Sequence, residues 1–385
     1  MSTRLGAIGL LVLALFPAML PAAAPTVPPP PQVSARSYVL MDFTTGKLLA
    51  AENEHQRAEP ASLTKIMTAY TIFRALKAGQ VKLSDSVVVS ERAWREGGAG
   101  SGGSTMFLPI HSSATLEDML KGMIIQSGND ASIALAEHLS GSEEAFSDVM
   151  NRHARELGMT DTHYVNSPGL PDPEHYTSAI DVAILSRALI REFPEYYAWF
   201  SQKEFVFNGI RQGNRNLLLY GDPGMDGIKT GHTQSAGYCL AASGKRGDMR
   251  MIAVVMGTSG PAVRARASSE LLNYGFRYYE TRRLYQQGKA LVQARVWKGV
   301  AESVGLGVPT DIWVTVPRGS LEQVKATPEA PRDLIAPLDP RTPVGKLIVT
   351  LGGEPLLESP LVPLAAVAEG SLWRRAVDTA LLWFE

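Results

Sequence analysis

Strand-like segments stand at both ends of a long helical stretch, and this order limits the folds open to the chain. Residues 37–53 contain two apolar runs around Thr44-Thr45-Gly46, which predicts a β-hairpin. After residue 226, the runs "DGIKTGHTQSAGYCLAASG" and "MRMIAVVMGTSG" are also strand-like. Helical periodicity fills much of the chain between them. We therefore predict an α/β domain in which one sheet joins both ends of the segment and a helical cluster packs beside it.

The helical region contains one clear apolar face and one clear interruption. The apolar face follows Pro60 and consists of Leu63, Ile66, Met67, Tyr70 and Phe73. Residues 116–141 predict two helices interrupted at Ser127-Gly128-Asn129. Further helices are predicted over 143–159 and 264–280. The interruption places polar side chains between two packed helices.

The pattern changes again after the core domain, which we predict to span residues 37–281. Residues 285–366 alternate apolar and polar side chains, with Pro and Gly between the runs. This pattern is typical of a small all-β domain. The chain is therefore expected to contain two domains of unequal size.

Residues 371–385 predict an amphipathic helix at the end of the chain. One face carries Trp373, Val377, Ala380, Leu381 and Phe384, and the opposite face carries Arg374, Arg375 and Asp378. The segment is too short to span a bilayer. Its arginines and aromatic residues favour a helix that lies in a membrane interface. The alternative is a terminal helix packed on the β-domain.

The N-terminus has the pattern of an export signal. One positive charge in "MSTR" precedes the apolar run "LGAIGLLVLALFPAML" and the small residues "PAAAP". We predict a signal peptide over residues 1–24, with a second possible cleavage point near residue 35. Residues 25–36 are predicted to be a Pro-rich linker. An uncleaved anchor is the alternative, and the body of the protein is exported in either case.

Composition excludes several classes of function. The formal net charge is −1, so no basic excess indicates a nucleic-acid partner. The single cysteine, Cys239, lies in a strand-like apolar run and is predicted to be a buried thiol. The histidines do not form a zinc-binding motif, so we predict neither a metal site nor a cofactor.

Ser62 and Lys65 are candidates for nucleophilic chemistry. Residues three apart on a helix are neighbours on one face, so the serine hydroxyl can meet the lysine amine. Serine needs a base to remove its proton, and a buried lysine with a lowered pKa can be that base. Taken alone, the pair is better explained as a helix cap and a surface lysine.

Two further motifs favour the interpretation of Ser62 and Lys65 as a nucleophile and its base. Ser127-Gly128-Asn129 can expose a hydroxyl and an amide where two helices are interrupted, although alone it is a simple helix–helix turn. Lys229-Thr230-Gly231 lies on a predicted strand, where its side chains can hold a carboxylate. Gly231 lacks a Cβ, so a substrate backbone could approach the strand closely. Alone, this motif would be an ordinary edge strand.

Together and in this order, the three motifs are characteristic of penicillin-binding proteins and serine β-lactamases. The sequence resembles the low-molecular-mass penicillin-binding proteins that are D-alanyl-D-alanine carboxypeptidases. The runs "EPASLTKIMTAY", "QSGNDASIALAEHLSG", "NSPGL", "NRN" and "DGIKTGHTQSAGYCLAAS" carry the resemblance. It implies a penicillin-recognising, β-lactamase-like fold, with an antiparallel sheet and a helical cluster over residues 37–281.

The resemblance also implies the catalytic roles. Ser62 would attack the carbonyl between two terminal D-alanines, and Lys65 would be its general base and later activate water. Ser127 would pass a proton to the leaving amine. Asn129 would bind substrate or orient Lys65.

The remaining implied residues bind the substrate. Lys229 and Thr230 would meet the terminal carboxylate, beside Gly231. The oxyanion hole would use the backbone N–H groups of the nucleophile and of His232, whose ring is left without an assigned role. Arg215 in "NRN" would lie near the carboxylate, with a plain surface arginine as the alternative.

The implied partners are a peptidoglycan stem peptide ending in D-Ala-D-Ala, β-lactam antibiotics and a membrane surface. The expected location is the periplasmic face of the cytoplasmic membrane, where the enzyme would regulate cell-wall cross-linking. A serine β-lactamase is one alternative, but no further acidic motif suggests a second base for deacylation. A non-catalytic penicillin-binding sensor or wall-binding module is the other, although all three motifs are intact.

Overall fold

The computed structural model describes residues 27–383. Its first domain contains both strands and helices. The strands are β1 (Ser37–Asp42), β2 (Leu48–Glu52), β3 (Ser86–Val88), β4 (Ser113–Thr115), β5 (Glu204–Phe207), β6 (Ile210–Gly213), β7 (Met225–Thr233), β8 (Gly237–Arg246) and β9 (Met249–Thr258). The helices are α1 (Thr64–Lys77), α2 (Glu91–Gly97), α3 (Leu116–Lys121), α4 (Asn129–Ser140), α5 (Glu143–Leu157), α6 (Ala179–Glu192), α7 (Pro194–Tyr197), α8 (Leu218–Gly221) and α9 (Pro261–Tyr278).

The main sheet joins the two ends of this domain, as the sequence predicts. Its five strands are antiparallel and follow the order β2-β1-β9-β8-β7. Val39 in β1 lies opposite Val254 in β9, so residues far apart in the sequence are paired. Because β7 is an edge strand, one side of it is open to the residues that pack in front of the sheet.

Helix α1 lies at the centre of the larger hydrophobic core. Its predicted apolar face is confirmed, because Leu63, Ile66, Met67, Tyr70 and Phe73 are all at most 1% exposed. This core also contains side chains from α3, α4, α5 and α6. A second core forms between the sheet and α9 on the other side. Buried Cys239 belongs to the first core, as expected for a packed thiol.

The predicted interruption at residue 127 is confirmed and has an unusual backbone. Helix α3 continues into a π-helical turn over Gly122–Gln126, and α4 begins at Asn129. Ser127 between them has a φ of +66°. Residues other than glycine rarely adopt this left-handed backbone conformation, and those that do are concentrated at functional sites.

Two predicted boundaries differ from the structure. Helix α9 covers residues 261–278 rather than 264–280. It starts earlier because Pro261 stands at its first position, where the fixed φ of proline suits a helix. It ends earlier because Tyr279 turns into strand β10 (Tyr279–Tyr285), which crosses the boundary predicted at residue 281.

The segment predicted as a Pro-rich linker lies against the first domain in its described part. Val27, Val33 and Ala35 pack on the second core. The hydroxyl of Tyr274 donates a hydrogen bond to the carbonyl oxygen of Pro28 at 2.9 Å. Residues 27–36 are therefore held on the surface of α9 rather than extended away from it.

The second domain is all-β, as predicted. Its remaining strands are β11 (Val292–Trp297), β12 (Ser303–Gly307), β13 (Ile312–Pro317), β14 (Val324–Glu329), β15 (Asp333–Ile335), β16 (Gly345–Leu351) and β17 (Glu354–Pro363). Strand β10 pairs with β13, and a six-stranded sheet has the order β14-β16-β17-β12-β11-β15. A buried hydrogen bond from Thr281 Oγ1 to Asp42 Oδ2, 2.7 Å long, links this domain to the first.

The predicted terminal helix is present as α10 (Leu372–Leu381). Its polar face contacts the small domain: the N–H of Lys298 donates to Asp378, and Arg374 lies 3.4 Å from Glu302. Its apolar residues are exposed, with Trp373 at 80%. Phe384 and the predicted signal peptide lie outside the described residues. Of the helices within 27–383, none has the length and apolar character needed to cross a membrane.

Candidate active site

A cleft of about 600 Å³ lies between the helical cluster and the open side of β7. The structure brings the nine predicted site residues together at this cleft. Its walls include Ser62, Ser127, Asn129, Arg215, Thr230, Gly231 and His232. Lys65 and Lys229 reach the same place from behind, where each amine contacts one of the two serines.

Ser62 lies in a short 3₁₀ turn that leads into α1. Helix α1 begins at Thr64 with Leu63 at its cap position, so Ser62 is not the capping residue. The hydroxyl of Ser62 lies 3.2 Å from the Nζ atom of Lys65. Lys65 is 1% exposed, which also excludes a surface lysine. The pair is therefore placed for proton transfer.

The amine of Lys65 has two carbonyl acceptors besides Ser62. It donates to Asn129 Oδ1 and to the backbone oxygen of Pro168, each at 2.7 Å. A neutral amine has two N–H groups and one lone pair. If the N–H groups bind the two carbonyl oxygens, the lone pair is directed at the hydroxyl of Ser62. This arrangement suits a base for that hydroxyl.

Burial lowers the pKa of Lys65 to about 7. The carboxylate of Asp130 opposes this effect and raises the pKa, whereas the positive charge of Arg215 lowers it further. The net result keeps a substantial neutral fraction of the amine near neutral pH. The pKa is therefore in the range that a general base needs.

Ser127 and Lys229 form a second serine–lysine contact at the cleft. The amine of Lys229 donates to Ser127 Oγ at 3.0 Å. Burial lowers the pKa of Lys229 well below its usual value, and the charges of Lys65, Arg215 and Arg264 lower it further. The left-handed backbone at Ser127 turns its hydroxyl toward this amine. A hydroxyl in this position can pass a proton between the cleft and a neighbouring nitrogen.

Arg215 and Arg264 add positive charge to the cleft wall. Arg215 is exposed to solvent and donates to Ser104 Oγ, so it is held over the cleft rather than extended away. Arg264 is buried and donates to the backbone oxygen of Gly231 at 3.1 Å. The local field favours an anionic group in the cleft.

Strand β7 supplies the other wall. The structure gives a different reason for Gly231 than close approach of a substrate: a Cβ there would lie 2.8 Å from the backbone oxygen of Pro60. The glycine therefore lets β7 pack against the turn that carries Ser62. The ring of His232 is exposed and stacks on Tyr238, with ring centroids 3.9 Å apart.

A glycine-rich loop forms the rim of the cleft. Gly102, Gly103 and Ser104 line it, and the backbone N–H of Asn129 donates to the oxygen of Ser104 at 2.8 Å. Buried Asp130 holds the end of the loop, because it accepts from the backbone N–H groups of residues 106 and 108. The interrupted helix therefore fixes both the catalytic groups and this rim.

The described part of the chain contains no group of three His, Cys, Asp or Glu side chains arranged to hold a metal ion.

Family profiles match nearly the whole described chain. The profile of the peptidase S11 family, described as D-alanyl-D-alanine carboxypeptidase, matches residues 23–260. The chain belongs to this family. The profile of the penicillin-binding protein 5 C-terminal domain matches residues 279–369, which is the small β-domain.

Relatives and solved structures of the S11 family resemble the chain over most of its length. D-alanyl-D-alanine carboxypeptidase DacC of Escherichia coli K12 is 44% identical, over 92% of this chain and 89% of that protein. Penicillin-binding protein 5 from Haemophilus influenzae has 41% identity and a TM-score of 0.84, covering 89% of this chain and 99% of that one. Penicillin-binding protein D2 from Listeria monocytogenes, in a cefotaxime-bound form, has 26% identity and a TM-score of 0.59, covering 65% and 100%.

Several groups that shape this S11 site carry no signal in the sequence. The backbone oxygen of Pro168 is an acceptor for Lys65, and "NSPGL" indicates the segment but not this contact. Gly169 beside it has a φ of +84°, and a Cβ there would lie 1.9 Å from the oxygen of Ala61. Glu143, which is buried, binds the N–H of Ser167 at 2.9 Å. Only the folded chain brings these groups to Lys65.

Proposed function

We propose that this S11-family protein is a serine-type carboxypeptidase that removes the terminal D-alanine from peptidoglycan pentapeptide stems through an acyl-enzyme on Ser62. One observation carries the proposal. The buried amine of Lys65 donates to two carbonyl oxygens, and its lone pair is directed at the Ser62 hydroxyl, 3.2 Å away. This arrangement is that of a nucleophile with its base.

Acylation starts when Lys65 takes the proton of Ser62. The serine oxygen then attacks the carbonyl carbon between the two D-alanines. Ser62 and His232 both line the cleft, and their backbone N–H groups are assigned to the negative oxygen that develops. Their position at the turn before α1 and on the edge strand β7 supports this role.

The leaving D-alanine amine must gain a proton. Ser127 is assigned to deliver it, and the proton that Lys65 took from Ser62 replaces the one that Ser127 gives up, so Lys65 is neutral again; Lys229 donates to Ser127 Oγ at 3.0 Å. Water then enters the place of the leaving group, and neutral Lys65 removes its proton as it attacks the acyl-enzyme and returns that proton to Ser62 as the acyl bond breaks. The same buried amine thus serves both half-reactions.

The terminal carboxylate of the substrate is assigned to the positive end of the cleft. Thr230 lines this end, the guanidinium groups of Arg215 and Arg264 supply the positive field, and the amine of Lys229 is a hydrogen-bond donor beside it. A free carboxylate beside the scissile bond is the feature that distinguishes a carboxypeptidase substrate from an internal peptide. The cluster therefore supports removal of a terminal residue.

β-Lactams are proposed to acylate Ser62 by the same route, because their ring carbonyl and carboxylate fit the same groups. The cefotaxime-bound form of the related Listeria protein supports this partner. A β-lactamase requires rapid release of the acyl group. The buried carboxylates near Lys65 already have partners, since Asp130 binds the glycine-rich loop and Glu143 binds Ser167. This arrangement favours the carboxypeptidase.

Release of D-alanine from a pentapeptide ending in D-Ala-D-Ala tests the proposal. We expect release by the wild-type protein and loss of release in Ser62→Ala. A folded wild-type protein that releases no D-alanine would contradict the carboxypeptidase. Penicillin turnover in the same preparation would then separate a β-lactamase from a non-catalytic sensor.

We also propose that α10 attaches the protein to the outer surface of the cytoplasmic membrane. Its polar face is occupied by contacts to the small domain, and its apolar face is exposed, with Trp373 at 80% and Trp383, just beyond the end of the helix, at 88%. Amphipathic helices with aromatic residues bind the boundary between lipid headgroups and acyl chains.

Sedimentation with lipid vesicles tests this attachment. The double variant Trp373→Ser/Trp383→Ser should stay in the supernatant while its D-alanine release is unchanged. Thr379→Ala on the same helix is the matched control and should sediment like wild type. Equal sedimentation of the double variant would rule out the anchor.

Export and signal-peptide cleavage before Val27 complete the proposal. Because Val27, Val33 and Ala35 pack on the second core, cleavage near residue 24 preserves the fold better than cleavage near residue 35. N-terminal sequencing of the exported protein should give a first residue before Val27. A first residue at Arg36 would contradict this proposal.

A further inference from the structure

A buried histidine beside the cleft has no part in the reaction described above. His175 lies between the segment 165–170 and helix α6, and it is 2% exposed. Its ring has two hydrogen-bond contacts. The backbone N–H of Val165 donates to Nδ1 at 3.1 Å, and Nε2 lies 2.8 Å from Thr64 Oγ1.

These contacts define one tautomer of the ring. Nδ1 accepts a hydrogen bond and therefore carries no proton, so the proton is on Nε2 and is donated to Thr64. Burial lowers the pKa of His175 to about 4, which keeps the ring neutral at neutral pH. His175 is thus a fixed connector with one acceptor and one donor.

The connector joins the two backbone segments that place the amine of Lys65. Thr64 directly precedes Lys65 and follows the turn that carries Ser62. Val165 opens the segment whose Pro168 oxygen accepts from the Lys65 amine at 2.7 Å. The ring therefore links the start of the helix that carries the base to the segment that supplies one of its acceptors.

The same two segments are in close contact elsewhere, so small shifts matter. Thr68 Oγ1 donates to the backbone oxygen of Ser167 at 2.7 Å. Gly169 approaches the turn so closely that a Cβ would lie 1.9 Å from the oxygen of Ala61. These contacts hold the middle and end of the segment, and His175 holds its beginning.

We infer that His175 is a positioning residue for acylation: by joining Thr64 to Val165 it keeps the Pro168 carbonyl on the Lys65 amine, so that the lone pair of the amine stays directed at Ser62. The inference rests on the roles proposed above for Ser62 and Lys65. His175 does not touch the substrate, so its loss should slow the acylation step and leave the initial binding of the substrate unchanged.

Two substitutions of His175 separate this role from simple packing. His175→Leu fills the space but removes both hydrogen-bond groups. His175→Gln restores an acceptor for Val165 and a donor for Thr64 with its amide. Stopped-flow acylation by a fluorescent penicillin gives the acylation rate constant and the dissociation constant of the initial complex separately.

We expect His175→Leu to lower the acylation rate constant by about tenfold or more, because small misplacements of reacting groups have large effects on rate. The dissociation constant should stay at the wild-type value, and His175→Gln should restore most of the rate. His138→Leu is the matched control. His138 is exposed in the last turn of α4 and belongs to neither connected segment, so its variant should acylate like wild type.

Three results would overturn the inference: a wild-type acylation rate constant in His175→Leu, a loss confined to the dissociation constant, or a His175→Gln variant as slow as His175→Leu. If His175→Leu fails to fold, Thr64→Val decides the matter, because it removes the acceptor and keeps the branched shape. Thr64→Val should show the same loss of rate, and a wild-type rate would overturn the inference. Persistent labelling of Ser62→Ala would instead contradict the role of Ser62.

Discussion

The cleft and the small β-domain differ in how deeply their charged side chains are buried. In the cleft, Lys65, Lys229, Asp130 and Glu143 are each at most 4% exposed, and each has hydrogen-bond partners. In the small domain, the pair Lys346 and Glu358 is about half exposed, and the buried clusters are apolar. Buried charge is costly unless it is paired, so a chain retains it where chemistry requires it.

The difference also explains how one fold can carry a reactive lysine. Burial alone lowers the pKa of an amine, but an isolated buried amine would be poorly oriented. In the cleft, the interrupted helix at Ser127 and the segment through Pro168 supply acceptors from two directions. Exposed ion pairs of the small domain such as Lys346 and Glu358 are not held in this way, and these surface charges are expected to be replaceable.

The largest expected effect is on the base itself. Lys65→Met keeps the length of the side chain but removes the amine, so acylation by penicillin should fall by about 10³-fold, the range of general-base catalysis. Labelling kinetics measure this loss. Lys77→Met, in the last turn of the same helix, is the control and should acylate normally. A Lys65→Met protein that acylates at the normal rate would show that the buried amine is not the base, and the contrast between the cleft and the small domain would then have no catalytic meaning.

A smaller effect is expected at Asp130. Its carboxylate accepts from the N–H groups of Met106 and Leu108, and an asparagine amide would oppose one of these donors. We expect Asp130→Asn to lower kcat/KM by about tenfold. Because the negative charge of Asp130 raises the pKa of Lys65, its removal should shift the acid limb of the pH profile to lower pH.

The direction of that shift separates electrostatics from loop movement. The matched control is Asp148→Asn on the exposed side of α5, which should change neither the rate nor the pH profile. An acid limb that moves to higher pH in Asp130→Asn would show that solvent entry, and not the lost charge, dominates.

The sequence could predict the residues of the cleft better than their supports. Short motifs place Ser62, Lys65, Ser127 and Lys229, because these side chains perform the chemistry at fixed spacings. The supporting acceptor at Pro168 is a backbone oxygen, and any residue type could supply one. His175 resembles an ordinary buried histidine until its two contacts are seen.

The same reasoning applies to the fold. Periodicity predicts the buried face of α1 and the sheet that joins both ends, since burial determines both. It predicts that α9 ends at residue 280, whereas the helix ends at Tyr278, because Tyr279 pairs with Pro317 in β13. The local sequence around α9 does not predict pairing with a strand that lies far along the chain.

The smallest expected effect is in the small domain. Lys346 lies 3.4 Å from Glu358 at the surface. Lys346→Met should change the free energy of unfolding by less than about 1 kcal/mol, because exposed ion pairs contribute little. Urea unfolding measures the change, and D-alanine release should be unaffected. A loss of activity in this variant would show that the two domains are coupled.

The pH dependence of Ser62 acylation tests the central claim most directly. Only neutral Lys65 can take the serine proton, and the pKa of its buried amine is about 7. The account predicts that the acylation rate of the wild-type protein reaches a plateau above pH 7 and falls about tenfold per pH unit well below it. An acid limb near pH 10, where an ordinary lysine titrates, would contradict a buried lysine base.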